Sequence, residues 1–506
     1  MRAWLLTTCC SLLCLTGCQT VQPGGSAVSH GDTAPLSTRE QAFSKALAHF
    51  GQGLLCQSEE GKASERALVQ LQDAAELDPG NHDLHSRIAV IALHQKDPDT
   101  AIAALEKSYQ HDPKSYQRCV DLAACYQAAN QRERAIAKYR EALKIDDSPE
   151  AVYIALAGLH FHSDADAEAL KLLDRGKRRA ETTALITAYT FEQAKRFVAH
   201  SSIPRAIPCF ELLARWDASR RPQLYQLLAE LYLTQRDVES AIEVLTLATR
   251  LPDALPEASV DLASILLQKG DREGGLEILE AANTRFENKP AVLFALGYAY
   301  SDAKAYERAI PFFERTSHLA IANSDGKKHP HELNEAFYLY YGAAYERTGQ
   351  LDEAKRVFET GLRHHPMSDR MLNYIAYMLA EANRDLDQAE GYAQRAITID
   401  PKNAAYLDTL GWIYSKQGHF DKALQQIEQA NALMGPDSEI LHHLGDIHST
   451  LKDHNNAVSC WKRSYALDPS NETVSEKLRD LGFDLDAILL DTILESAEPN
   501  KDSTTP

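Results

Sequence analysis

The chain has 506 residues, of which 44% are hydrophobic, which is enough apolar surface for a sizeable folded core. Its 72 acidic residues outnumber its 53 basic residues, so the formal net charge is -19. Nucleic-acid binding depends on cationic side chains that contact phosphates, and this charge therefore argues against non-specific DNA or RNA binding.

The N-terminus carries a short apolar run, residues 3–15, after a single arginine. The run is too short to span a bilayer as a permanent helix, and its position predicts an export signal. It ends in "LTGC", which resembles the lipobox of bacterial lipoproteins. The resemblance implies that residues 1–17 are a lipoprotein signal peptide, that Cys18 is acylated, and that Gln19 directs sorting to the outer membrane, facing the periplasm. An ordinary cleaved signal peptide is the alternative.

Residues 18–37 are rich in Gly, Pro, Ser and Thr and have no apolar periodicity. This composition predicts a flexible tether, lipid-anchored at Cys18, with the folded body beginning near Thr38. Five further cysteines follow, an odd number that cannot pair completely within one chain. Cys119 and Cys125 lie on one predicted helix, about 9 Å apart along its axis, which is beyond disulfide reach.

A 34-residue spacing dominates the folded body. Pro79 and Pro113 are 34 residues apart, and Ala67 and Ala101 keep the same interval twelve residues earlier. Such a period, with small residues where two helices must approach closely, resembles the tetratricopeptide-repeat (TPR) family. The resemblance implies an all-α, right-handed superhelical solenoid of about twelve helix-turn-helix units with a C-terminal capping helix. Units are predicted to start near 48, 82, 116, 150, 187, 222, 256, 290, 335, 369, 404 and 438.

The repeat register divides the body into segments. It weakens over residues 171–221, and eleven additional residues separate two units near residue 323. We expect N-terminal units over 38–221, central units over 222–322, an inserted loop at 323–335, C-terminal units over 336–471, a capping helix at 472–496 and a disordered tail at 497–506.

The weak segment at 171–221 is basic, with eleven Lys and Arg against five Asp and Glu. Such a run usually forms a solvated face of a degenerate repeat. The alternative is a docking patch for an acidic lipid headgroup, glycan or protein. The candidate residues are Lys177, Arg178, Arg179, Arg220 and Arg221.

In TPR proteins the fifth and ninth residues of a unit face a concave binding surface. Transferred to this register, those places hold aromatic, amide, carboxylate and imidazole side chains, a composition that suits an extended peptide or a partner's helix. Packing between neighbouring units is the alternative. The predicted groove residues are Phe294, Tyr298, Asn373, Tyr377, Asp408, Trp412, His442 and Asp446.

The sequence contains no Walker A, G-x-S-x-G or H-E-x-x-H motif. We therefore expect neither catalytic residues nor a cofactor. His442, His443, Asp446 and His448 could in principle gather a metal ion, but a polar groove wall is the simpler interpretation, and no metal site is predicted.

The resemblance therefore favours a non-catalytic protein-binding scaffold, anchored by lipid in the bacterial cell envelope. Its expected partner is a protein or extended peptide in an envelope assembly or export system, and nucleic acid is not expected. One alternative is an accessory activator of an enzyme that synthesises cell wall or polysaccharide. Another is direct binding of an anionic glycan through the basic segment.

Overall fold

The fold is seen in a computed structural model that describes residues 36–323, 330 and 333–490. Across these residues it contains twenty-five complete α-helices, one short 3-10 helix and no β-strand. A further helix begins at residue 485 and reaches the end of the described part. The signal peptide, the acylated Cys18, most of the tether and the tail at 497–506 lie outside the described residues.

Helices α1 to α24 follow one another as twelve successive pairs, as the repeat period predicts. The odd-numbered helices are the first of each pair. They are α1 Thr38–Glu60, α3 His82–His94, α5 Tyr116–Ala128, α7 Glu150–Phe161, α9 Ala184–Ala199, α11 Arg221–Thr234, α13 Pro256–Gln268, α15 Pro290–Asp302, α17 Glu335–Arg347, α19 Asp369–Glu381, α21 Ala404–Lys416 and α23 Ser438–Thr450.

The even-numbered helices are the second of each pair. They are α2 Glu65–Leu77, α4 Pro98–His111, α6 Arg132–Ile145, α8 Asp166–Arg179, α10 Ile203–Trp216, α12 Val238–Thr249, α14 Arg272–Arg285, α16 Tyr306–Asn323, α18 Leu351–His364, α20 Leu386–Ile399, α22 Phe420–Met434 and α24 His454–Leu467. The 3-10 helix Ala218–Arg220 precedes α11, and α25 Glu472–Asp480 follows the last pair.

The first helix begins ten residues before the first predicted unit. Ser37 and Glu40 form a reciprocal capping box, in which the Ser37 side chain accepts from the Glu40 backbone N–H and the Glu40 carboxylate accepts from the Ser37 N–H at 2.7 Å. Because this cap satisfies donors that a helix start leaves unpaired, it fixes the start of α1 at Thr38.

Small residues bring the two helices of a pair together. At Gly342 in α17, an added Cβ would lie 2.5 Å from Phe358 of α18, and at Gly297 in α15 it would lie 2.6 Å from Phe313 of α16. Both phenylalanines are fully buried. The glycines therefore make room for an aromatic ring that fills the space between the helices.

The chain divides into two compact units, Met1–Ala241 and Ile242–Pro506, here called unit 1 and unit 2. Within each unit the helices of a pair pack together and successive pairs stack. In unit 2, the first helices α13, α15, α17, α19, α21 and α23 also contact one another in order. We call this row of odd-numbered helices the first-helix face.

The degenerate repeat predicted over the basic segment still forms a helical pair, α9 and α10. Pro204 stands in the first turn of α10, where proline is tolerated, and Pro208 lies inside that helix. The predicted single capping helix at 472–496 is wrong. It is interrupted after α25, where Gly482 adopts a positive φ of 80°. Residues 491–496 lie outside the described part.

The five cysteines of the described chain are Cys56, Cys119, Cys125, Cys209 and Cys460, and all are buried. Burial raises the pKa of Cys119 to about 11 and that of Cys209 to about 12. No helix within the described ranges is both long and apolar enough to cross a membrane.

Candidate functional site

A cleft of about 250 Å³ opens on the first-helix face of unit 2. Tyrosines from α15, α16, α17 and α19 form its walls, and the rings of Tyr298 and Tyr340 meet edge to face with their centroids 4.8 Å apart. We call it the tyrosine cleft. Its lining residues are Tyr298, Ser301, Asp302, Tyr306, Tyr340, Ala343, Ala344, Arg347 and Tyr374.

The charged groups around the tyrosine cleft are paired with one another. Asp302 accepts a hydrogen bond from Arg272 Nε at 2.7 Å, and Arg347 Nε lies 3.2 Å from Glu346 Oε2. Glu346 also accepts from the Tyr374 hydroxyl at 3.3 Å. Burial, followed by the charge of Glu346, raises the pKa of Tyr374 to about 12, so this phenol remains a neutral donor.

Two predicted groove residues come from α15, but only one reaches the surface of the cleft. Tyr298 lines it. Phe294 instead packs against the buried rings of Phe313 and Phe337, with centroid distances of 6.2 and 5.9 Å. Phe294 is partly buried and packs against the aromatic core, so its role in facing a ligand stays a prediction.

The predicted groove residues of α19 are half-buried and polar in their contacts. Tyr377 donates a hydrogen bond from its hydroxyl to Glu439 Oε1 at 2.7 Å, and Glu439 is an exposed residue of α23. Burial, then this hydrogen bond, raises the pKa of Tyr377. The amide oxygen of Asn373 is buried and has no hydrogen-bond partner.

Asp408 and Trp412 of α21 do not face solvent as predicted. Asp408 is 5% exposed and Trp412 is 9% exposed. The Trp412 ring stacks on His443 with centroids 4.2 Å apart, and its Nε1 donates to Glu381 at 2.6 Å. The prediction is wrong for these two residues, because side chains of the flanking first helices cover both.

His443 forms a buried ion pair with Asp408. Its Nδ1 lies 2.9 and 3.0 Å from the two carboxylate oxygens. Burial disfavours the charged imidazolium, but the charge of Asp408 and the hydrogen bond to it outweigh burial and raise the pKa of His443. The pair therefore joins α21 to α23 by a charge-assisted bond inside the protein.

His442 and Asp446 of α23 contact the cation of Lys477 from α25. Lys477 Nζ lies 2.5 Å from Asp446 Oδ1 and 2.8 Å from His442 Nε2. Burial and the positive charge of Lys477 lower the pKa of His442 to about 4, so its ring is a neutral acceptor at pH 7. Trp461 Nε1 also donates to Asp446, at 2.9 Å. These two predicted groove residues therefore bind Lys477 and attach α25 to the last repeat pair.

The five candidate residues of the basic patch make local contacts in unit 1. Lys177 donates to the hydroxyls of Thr183 and Thr187, and Arg221 Nε donates to the carbonyl of Ala214. The three remaining arginines lie within 4 Å of a carboxylate: Arg178 of Asp174, Arg179 of Asp147 and Arg220 of Asp217. Much of the local positive charge is thus neutralised, although Arg178, Arg179 and Arg220 remain exposed at the surface.

Residues of the cleft that the sequence analysis missed are Tyr306, Tyr340, Tyr374 and Arg347. Tyr340 and Tyr374 hold the sixth places of successive units, one position beyond the fifth-place residues considered above. The sequence feature that could have predicted this part of the site is the run "FYLYYGAAY" at 337–345. It holds more aromatic residues than the packing of one helix face needs.

Sequence models described as "Tetratricopeptide repeat" match residues 92–137, 193–387, 392–425 and 438–471, together more than half of the chain. The chain is a tetratricopeptide-repeat protein. As a member of this family it is expected to present a surface that binds other proteins, and TPR proteins are generally non-catalytic.

Individual relatives of this TPR protein are distant. TPR repeat-containing protein YpiA of Bacillus subtilis is 20% identical over 48% of this chain and 71% of its own length. The general transcriptional corepressor trfA of Dictyostelium discoideum is 33% identical over 20% of this chain, which spans only 7% of that protein. A tetratricopeptide repeat protein from Parabacteroides merdae, solved as a crystal structure, is 17% identical with a TM-score of 0.41, covering 52% of this chain and 98% of its own.

Metal ligation by the histidines of α23 finds no support in the geometry. Lys477 of the TPR protein itself supplies the cation that His442 and Asp446 contact, and His443 is engaged by Asp408. Within the described ranges, no group of three or more His, Cys, Asp or Glu side chains is arranged to hold a metal ion.

Proposed function

We propose that this TPR protein is a lipid-anchored scaffold of a bacterial cell envelope that binds a protein or extended peptide along the first-helix face of unit 2. The tyrosine cleft is the observation that supports this proposal. Tyr340 at its rim is 37% exposed, and Tyr377 lies one helical turn beyond the cleft residue Tyr374. Accessible tyrosines are typical of binding hot spots, because their rings bury a large area at little entropic cost.

The buried pairs of the same face support the proposal indirectly. Asp408, His443 and Trp412 connect successive first helices through contacts with little exposure. The hydrogen bond from Trp412 to Glu381 also joins α21 to α19, the helix that carries Tyr374 and Tyr377. A surface ordered before binding costs less conformational entropy when a partner docks.

Site-specific photo-crosslinking in the cells that produce the protein tests the proposal. We would replace Tyr340 or Tyr377 by p-benzoylphenylalanine in the intact chain and identify adducts after irradiation. The matched control places the same residue at Leu433, which is 48% exposed but belongs to the second helix α22. We expect the same partner from both tyrosine positions and no such adduct from position 433. Adducts that appear only at position 433 would assign binding to another face.

A further inference from the structure

The size of the tyrosine cleft limits what it can hold. Its volume of about 250 Å³ lies below the roughly 300–1,000 Å³ typical of small-molecule pockets. The cleft is open to solvent, and its walls come from three successive first helices and from Tyr306 at the start of α16. A site of this size takes one or two residues of a ligand that continues beyond it along the row of helices.

The charge balance of the tyrosine cleft favours a neutral group. The carboxylate of Asp302 already accepts from Arg272, and the guanidinium of Arg347 lies beside Glu346. A ligand with a full charge would lose hydration without meeting an unpaired opposite charge, which costs more than burying an uncharged group.

The hydrogen-bonding groups of the cleft are biased towards donation. The Arg347 guanidinium and the hydroxyls of Tyr298, Tyr306 and Tyr340 can donate to a ligand, whereas the Tyr374 hydroxyl already donates to Glu346. The nearby carboxylates of Asp302 and Glu346 already accept bonds from the protein. A peptide has carbonyl acceptors, but an ordinary residue also brings an N–H that needs an acceptor. Proline has none, and a polyproline II segment presents its carbonyls outward without internal hydrogen bonds.

The ring geometry also suits proline. Tyr298 and Tyr340 meet edge to face at 4.8 Å, and the small side chains of Ala343 and Ala344 leave the space beside them open. Aromatic-lined grooves recognise polyproline II segments because the ligand is already extended and loses little entropy on binding.

We propose that the tyrosine cleft binds a proline-containing segment of the partner in the polyproline II conformation. This inference rests on the proposed scaffold function and names the ligand class of its surface. Tyr340 and Tyr298 contact the pyrrolidine rings, and the hydroxyls of the cleft donate to the carbonyls of the segment.

Isothermal titration calorimetry on the full chain tests the inference with a blocked deca-proline peptide as the probe. A Gly-Ser peptide of equal length and the neutral glycan chitohexaose are titrated alongside. We expect saturable binding of deca-proline only. Tyr340→Ala should weaken it about tenfold, since an exposed aromatic hot spot is removed. Tyr298→Phe keeps the ring, loses one donor and should weaken binding about threefold.

The control variant is Phe191→Ala in unit 1, whose ring is 37% exposed, as is that of Tyr340. It should bind deca-proline as the unaltered chain does, and circular dichroism should show all three variants folded. Absence of saturable binding by the unaltered chain, preference for chitohexaose, or equal affinity in folded Tyr340→Ala would overturn the inference. If photo-crosslinking still captures a partner at positions 340 and 377, the ligand class alone is wrong and the scaffold function stands.

Discussion

Gly411 in α21 lies where two helices approach so closely that there is no room for a side chain. An added Cβ would collide with Ile427 of α22 and lie 3.0 Å from the carbonyl oxygen of Ala423. We expect Gly411→Ala to lower the free energy of unfolding by about 1–3 kcal/mol because the helices must separate. Urea unfolding followed by circular dichroism measures the change.

Gly391 provides the matched control for that substitution. It is an exposed residue within helix α20, and an added Cβ would meet nothing within 4 Å. Gly391→Ala should stabilise the protein by about 0.5–1 kcal/mol, because alanine has the higher helix propensity. Equal effects of the two substitutions would contradict the proposed role of Gly411 in close packing.

The buried pair of Asp408 and His443 predicts a pH-dependent contribution to stability. The pKa of His443 is raised in the folded state, so the contribution is complete below the ordinary histidine value of about 6.5 and is lost as the pH rises through the folded-state pKa. Asp408→Asn should cost roughly 3 kcal/mol at pH 6. We expect a smaller cost at pH 9, measured by urea unfolding, and an equal cost at both pH values would refute the linkage.

At the scale of single elements, Lys477 attaches α25 to the last repeat pair through His442 and Asp446. Lys477→Met removes the positive charge that helps to lower the pKa of His442. We expect that pKa to rise from about 4, while burial keeps it below 6.5, as measured by NMR titration of the imidazole signals. Amides of α25 should also exchange faster with solvent than in the unaltered chain.

Lys452→Met is the control for Lys477→Met, since Lys452 is an exposed residue in the turn after α23. It should leave the titration of His442 unchanged. A similar shift in both variants would mean that general charge, rather than the contact with Lys477, lowers the pKa of His442.

The helices were the most predictable elements, because each unit repeats the same spacing of small residues and of helix-ending prolines. Nine of the twelve predicted starts coincide with the first residue of an odd-numbered helix, among them Pro256 and Ala404. The other three helices begin at Thr38, Ala184 and Arg221 instead of 48, 187 and 222, and the first of these starts is set by the capping box at Ser37. The cap was predicted as continuous because its apolar periodicity continues through Gly482, whose positive φ ends the helix.

The candidate site was less predictable than the helices. The fifth and ninth places of a repeat identify Tyr298 and Tyr377 as surface residues. They do not reveal which side chains of a neighbouring repeat cover the residues at those places. His443, a sixth-place residue, covers Asp408 and stacks on Trp412. Such contacts join residues about one repeat apart, so a pattern defined within one unit cannot predict them.

For the molecule as a whole, the repeat architecture predicts that a destabilising substitution affects only the neighbouring helices. Gly176 in unit 1 packs so closely that an added Cβ would lie 2.7 Å from Tyr153 and 2.8 Å from Ile186. Solenoid stability is close to a sum of nearest-neighbour terms. Gly176→Ala should therefore reduce hydrogen-exchange protection in α7, α8 and α9 while α21 to α23 keep theirs. Loss of protection in both regions would instead indicate a single cooperative unit.

The proposed lipid anchor is also a property of the whole molecule. If Cys18 carries the acyl chains, Cys18→Ser should move the protein from the membrane fraction to the soluble fraction of lysed cells, because no acyl chain remains to insert into the bilayer. Immunoblotting of the two fractions measures the distribution. Cys14→Ser is the control and should remain with the membrane. A Cys18→Ser protein that still sediments with membranes would argue against this anchor.

The inert thiols of the folded body make the protein suitable for site-directed labelling. Cys119 and Cys209 are buried, and their high pKa values leave little reactive thiolate at neutral pH. Maleimide reagents should therefore leave the native cysteines of the repeats unmodified and react with an engineered cysteine on the surface. Fluorophore pairs attached in this way could report distances between repeats while a ligand is added, without first building a cysteine-free background.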